Sequence, residues 1–161
     1  MTETAPRNTS DRPVEIADHI YWVGAPEERS NLHCNPYLIV AGEKGVMIDA
    51  GSRPDFPQVM MKILQTGILP EQIVALIYQH PDPDLCGSMP NMADICANPE
   101  LRILSAPENN VFISYYLERE KRDLLTPIDR QDAVFRWEGR TLRFYRTPYA
   151  HASGSFVTYD E

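Results

Sequence analysis

This sequence has no apolar run of membrane-spanning length, no apolar stretch in its opening residues, no paired cysteine spacing and no glycine-rich nucleotide-binding loop, and each absence narrows the field. The longest apolar runs, Ile73 to Tyr78 and Tyr37 to Ala41, fall far short of the roughly 18 residues a bilayer-crossing helix requires. The opening segment MTETAPRNTSDRP mixes charge, Thr and Pro without an apolar stretch. Residues 1–13 therefore read as a disordered tail and not a secretory signal, and a cytoplasmic location is expected. Cys34, Cys86 and Cys96 are odd in number and have no CxxC spacing, which argues for reduced thiols and against a zinc–cysteine site. Basic residues are also short: 15 Lys and Arg face 23 Asp and Glu, a net charge of −8, so no broad footprint for nucleic acid or an anionic membrane is expected. No GxGxxG, P-loop or nucleophile elbow is present, so phosphate cradling and serine-triad chemistry have no support.

What is present describes one globular domain. The 161 residues are 43% hydrophobic, enough for a single core. Fourteen prolines scatter through the chain and signal many loops. Ile20 to Val23 and Tyr37 to Ala41 read as strands flanking a polar loop, and a turn at Glu43 to Gly45 leads into a buried strand, Val46 to Ile48, that stops at Asp49. Phe56, Val59, Met60, Ile63 and Leu64 recur at helical spacing up to a stop at Gly67. Ile73 to Tyr78 is a buried strand, and QHPDPDLCGS after it is expected to be neither helix nor strand, because Pro81 and Pro83 interrupt it. A helix from Pro90 to about Asn98, a strand over Leu101 to Leu104, and a partly helical Pro107 to Leu125 follow. A hairpin of Val134 to Trp137 with Thr141 to Tyr145, and a last strand over Ser155 to Tyr159, complete an α/β alternation with a mixed sheet. In such folds ligands collect where strands end, and the loops after Tyr78 and Tyr145 each carry a histidine.

His80, Asp82 and Asp84 alternate directly after the buried strand, with prolines fixing the backbone between them. Extended backbone sends alternate residues to one side, so one imidazole and two carboxylates can face a common point. Fe²⁺, Mn²⁺ and Zn²⁺ accept such nitrogen and oxygen ligands. The same residues also fit an acidic turn, with Asp82 and Asp84 capping the next helix and His80 at the surface. His151, in TPYAHASGSF, offers a second imidazole.

The run VMIDAGS, then IYQHPDPDLCGS, then TPYAHASGSFVTYD resembles the metallo-β-lactamase superfamily in order and spacing, over about Ile20 to Asp160. Within it the pattern is closest to the flavodiiron proteins and the stand-alone oxygen-binding diiron proteins, in which a carboxylate replaces the second histidine, as Asp82 does here. The resemblance implies an αββα sandwich, of which residues 14–161 would be the N-terminal part, C-terminally incomplete. It implies that His80, Asp82 and His151 ligate one iron and Asp84 the second, with zinc or manganese as alternatives. Leu85 stands where a hydrolase of this superfamily has a histidine, which argues against hydrolysis. The family's bridging aspartate and last histidine have no counterpart in these residues, so a partner copy or a further segment would have to complete a two-metal site.

Three functions follow as expectations. The first is a diiron protein that senses O₂, or another small diatomic ligand, or reduces it with an external electron donor. The second is a mononuclear or dinuclear metal hydrolase, and the third a metal-free regulatory or interaction domain. The uncovered sheet face favours a homo-oligomer or a missing C-terminal half. Around the metal loop, Asp49, His33, Cys34, Cys86 and Tyr159 are candidates for supporting or lining the site. Asp49 is expected to orient the loop by hydrogen bonds, Tyr159 to be a pocket wall or a core residue, and His19 to lie at the surface.

Overall fold

A computed structural model describes residues 11–25, 34–128 and 133–161. Most of residues 1–13, the expected tail, and His33 lie outside the described residues. Seven strands form one sheet in chain order: β1 (Val14–Ala17), β2 (Ile20–Trp22), β3 (Tyr37–Ala41), β4 (Lys44–Ile48), β5 (Ile73–Ile77), β6 (Arg102–Ser105) and β7 (Leu125–Pro127). The first four pair antiparallel and β4 to β7 pair parallel. A second antiparallel sheet holds β8 (Val134–Trp137), β9 (Arg140–Arg146) and β10 (Phe156–Asp160), with β9 in the centre.

The central strands β4, β5 and β6 of the large sheet are buried on both faces, which is why they read as largely apolar runs. Alternation sorts the side chains of the sheet. Leu38, Met47, Leu76 and Ile103 pack with Val59, Ile63, Met89 and Met92 of helices α1 (Phe56–Gln65) and α3 (Met89–Ile95). Ile39, Val46, Ile48, Ile77 and Leu104 face the small sheet and meet Trp137, Leu142, Phe144 and Phe156. Arg140 ties the two sheets together: Nε donates to Asp160 Oδ1 at 2.8 Å, Nη1 to the Val40 carbonyl at 3.1 Å and Nη2 to the Asp18 carbonyl at 3.2 Å. The outer face of the small sheet exposes Tyr145, Val157 and Tyr159.

Several expectations shift. The segment after Tyr78 does contain a helix, α2 (Pro83–Cys86), because Pro83 occupies its first turn, where a missing N–H costs nothing. The turn before β4 uses Gly42 and Glu43, and Lys44 and Gly45 are already paired to β3. The segment from Pro107 is partly helical as expected, with α4 (Pro107–Ile113) and a 3-10 turn over Arg119–Leu124, but Leu125 begins β7 instead of ending the helical segment. Strands β1 and β7 carry little signal in the sequence because they are only four and three residues long, and every residue of β1 is exposed. No helix among the described residues is long and apolar enough to cross a membrane.

Candidate metal centre

The parallel strands β4, β5 and β6 all end on one side of the molecule, and the chain leaves each end in a loop. Asp49 follows β4 in the left-handed region, φ 54°, a conformation that aspartate tolerates better than most residues. Its carboxylate is buried, with Oδ1 accepting from the Gln79 backbone N–H and Oδ2 from Gln79 Nε2, both at 3.1 Å. Burial pushes this carboxyl up from its ordinary 3.8 to about 7, against the lowering effect of the two Gln79 bonds. The other end of the Gln79 amide accepts from the Thr158 N–H at 3.1 Å, so one side chain links β4, β5 and β10. Both carboxylate oxygens of Asp49 are thus engaged by Gln79.

Beyond Gln79 the chain extends through His80, Pro81 and Asp82 and turns into α2. Asp82 receives the backbone N–H groups of Leu85 and Cys86 on its carbonyl, at 3.1 and 2.9 Å, which starts the helix without using its side chain. That side chain faces two imidazoles. His151 Nε2 lies 2.7 Å from Asp82 Oδ2, His80 Nδ1 lies 3.5 Å from the same oxygen, and the two rings stand 4.5 Å apart between centroids. One ligand atom from each of the three residues falls within 4.8 Å of the others. Burial holds His80 below its ordinary pKa, outweighing the raising influence of Asp84 and Asp82, and so favours the neutral ring that a metal requires.

The donor set and spacing fit a metal ion. Ligand atoms held at about 2.1 Å by one ion stand roughly 3 to 3.5 Å apart. The His80 to Asp82 distance already meets this. The 2.7 Å contact of His151 with Asp82 is a direct hydrogen bond that opens by less than about 1 Å to admit an ion.

Asp84 stands apart from this trio. It lies in the first turn of α2, half buried, and its charge is felt by His80, Asp49 and Cys34. Leu85 is turned into the helix-side core. Cys86 is buried and its thiol donates to the His80 carbonyl at 3.4 Å, while burial raises both it and Cys34 well above the ordinary thiol range, so neither presents a thiolate. Tyr159 lies on the outer face of the small sheet, half exposed and edge-on to Tyr145 at 6.4 Å, so it is neither a core residue nor a wall of this site. His19 is exposed beside Glu15 and Asp18.

The sequence reading missed the residues that hold the loops in place. Ser88 Oγ donates to the Ala50 carbonyl at 2.8 Å, joining the start of α3 to the Asp49 turn. Gly87 packs so closely that a Cβ there would lie 2.5 Å from the Pro83 carbonyl and 3.0 Å from the Arg53 nitrogen. Ser105 and Asn109 connect the His80 and His151 loops. Gln79 had one signal, its place beside His80, whereas nothing in PENNVFI distinguishes Asn109 from Asn110. Next to Asp82, the side chains of Pro81, Phe112, Tyr115 and Tyr116 line an open concavity of about 580 Å³.

This combination, a mixed sheet covered by helices on one face and a second sheet on the other, with a histidine–aspartate loop at the strand ends, defines the metallo-β-lactamase fold. MEM-A1, a subclass B3 metallo-β-lactamase from a soil metagenome library, aligns with a TM-score of 0.78 at 16% identity, over 92% of this chain and 57% of that one. The flavodiiron protein from Giardia intestinalis aligns with a TM-score of 0.79 at 18% identity, over 97% of this chain and 39% of that one. Residues 32–161 match the family model described as ODP family beta lactamase, and the chain belongs to that family. Its kinship lies toward the flavodiiron branch: it is 26% identical over 161 residues to the nitric oxide reductase of Moorella thermoacetica, covering 92% of this chain and 39% of that protein. The chain spans about a fifth to two fifths of the length of the curated relatives it matches.

Proposed function

We propose that His80, Asp82 and His151 form one half of a diiron site that binds O₂ or another small diatomic ligand. The observation that carries this is the convergence of two imidazoles and one carboxylate within 4.8 Å, the two-histidine, one-carboxylate set that suits non-haem iron with open positions. When bound, iron supplies Lewis acidity and one-electron chemistry. The chain's own residues prepare for it. Burial lowers the pKa of His80 and so favours the neutral ring, and Asp82 and His151, hydrogen-bonded to each other, would hold the ion together with it. The apolar wall of Pro81, Phe112, Tyr115 and Tyr116 suits the approach of an uncharged diatomic molecule. Asp84 is the ligand available to a second iron, whose remaining ligands would come from a second copy or from residues beyond these 161. Reduction, as distinct from sensing, would draw electrons from an external donor.

A zinc or manganese hydrolase is the second reading. It is favoured by the count of converging residues, since three ligands with an open fourth position is the arrangement of catalytic zinc. Leu85, buried in the core, supplies no second-metal ligand and weighs against it.

Metal content decides between them, on protein purified without oxygen and offered iron, zinc and manganese in competition. About two irons per chain, with a visible band that changes on exposure to air, is expected. One zinc per chain would transfer the case to the hydrolase, and less than about a tenth of any metal per chain would overturn both.

A further inference from the structure

His80 and His151 belong to different layers. One follows β5 of the large sheet, and the other lies between β9 and β10 of the small one. The His151 loop is a self-bonded unit: Thr147 N–H donates to the Ser155 carbonyl at 2.9 Å, Tyr149 N–H to the Ala152 carbonyl at 3.0 Å, and Ala152 N–H to Ser155 Oγ at 2.8 Å. Both of its roots reach α4. Arg146 Nη2 donates to Glu108 at 2.8 Å, and the Gly154 carbonyl accepts from Asn109 Nδ2 at 2.9 Å. Asn109 is 1% exposed. The same amide nitrogen donates to Ser105 Oγ at 3.1 Å, and that hydroxyl donates to the Tyr78 carbonyl at 2.5 Å, two residues before His80. A continuous buried chain of hydrogen bonds thus runs from the root of one histidine loop to the root of the other.

We propose that Asn109 is a positioning residue of the metal site, setting the separation of His80 and His151 through Gly154 on one side and Ser105 on the other. The proposal rests on the metal-binding reading above. Both acceptors take the amide nitrogen, which fixes the orientation of the side chain. Its oxygen then lies 2.0 Å from where a Cβ on residue 154 would stand, so only glycine fits there. Metal ligands need placement to about 0.5 Å. Loss of an outer residue that holds a ligand typically weakens metal affinity by about 10- to 100-fold. Asn109 sets the position of one histidine relative to the other, so its effect disappears when His151 no longer ligates.

The test is a double-mutant cycle read with Co²⁺, whose visible band reports ligand geometry and whose affinity follows from competition with a chelator. Asn109→Asp keeps the shape and replaces the donating nitrogen with an oxygen facing the Gly154 carbonyl. Expected are an affinity loss of about 10-fold or more, a weakened visible band, and, in metal-free protein, faster amide exchange over residues 147–155. In a His151→Ala background the same substitution is expected to change Co²⁺ affinity less than about twofold. Unchanged affinity for Asn109→Asp, or an equal loss in both backgrounds, would overturn the proposal while leaving the metal site standing. Wild-type protein that fails to bind Co²⁺ would overturn the metal reading itself. Should Asn109→Asp not fold, Ser105→Ala cuts the link to Tyr78, leaves the Gly154 bond in place, and is read in the same way, with about threefold or more expected.

Discussion

Asp49 gives this domain a stability that declines as the solution becomes more alkaline. Its carboxyl is raised from 3.8 to about 7, with burial as the leading cause. The folded chain therefore holds this proton more tightly than the unfolded chain does. Its contribution is complete below pH 4, diminishes as pH climbs toward 7, and is flat above that. The slope reaches about 1.4 kcal/mol per pH unit, and between pH 5 and pH 8 the loss from this one group amounts to about 2 to 3 kcal/mol. Asp49→Asn removes the titration while adding a cost independent of pH, because an amide nitrogen then opposes Gln79 Nε2. Urea unfolding of both proteins in the presence of chelator, at pH 5 and pH 8, measures the difference directly. Wild type is expected to lose about 2 to 3 kcal/mol more than Asp49→Asn over that interval. A stability gap between the two that is the same at both pH values would show that Asp49 is ionised throughout, and the burial argument would fail.

Other perturbations test the scaffold and the site. Gly87→Ala places a methyl group 2.5 Å from the Pro83 carbonyl, and thermal unfolding is expected to show a loss of about 1 to 3 kcal/mol. Arg140→Lys keeps the charge but cannot reach Asp160, Val40 and Asp18 together; a loss of about 1 to 3 kcal/mol is expected by denaturant titration, and unchanged stability would deny Arg140 its role in joining the sheets. His151→Ala and Asp82→Asn are each expected to lower Zn²⁺ affinity by about 100-fold or more in competition titrations, whereas His19→Ala leaves it unchanged. Affinity for metal is expected to fall on acidification as protons compete with the ion for His80, and burial, which holds that imidazole below its ordinary pKa, moves the loss to lower pH than for an exposed histidine.

Local pattern carried much of the architecture. Buried strands betray themselves by uninterrupted apolar runs, so β5 was legible to within a residue. The face of α1 was legible from the spacing of Val59, Met60 and Ile63, and the two histidine loops stood out because each follows a strand. Edge elements were less visible. The exposed β1 and the three-residue β7 are stabilised by pairing with strands distant in sequence, and a proline that blocks a helix interior serves well at the start of α2.

The sequence by itself determined which groups are available: two imidazoles and two carboxylates on the segments that leave the ends of strands. Only the tertiary structure decided which of them meet. His151 lies 71 positions after His80, and packing of one sheet on the other, secured by the Asn109 chain, brings their rings to 4.5 Å. Tertiary neighbours likewise pair Asp49 with Gln79, turn Leu85 into the helix-side core and leave Tyr159 on the outer face of the small sheet, none of which local spacing encodes.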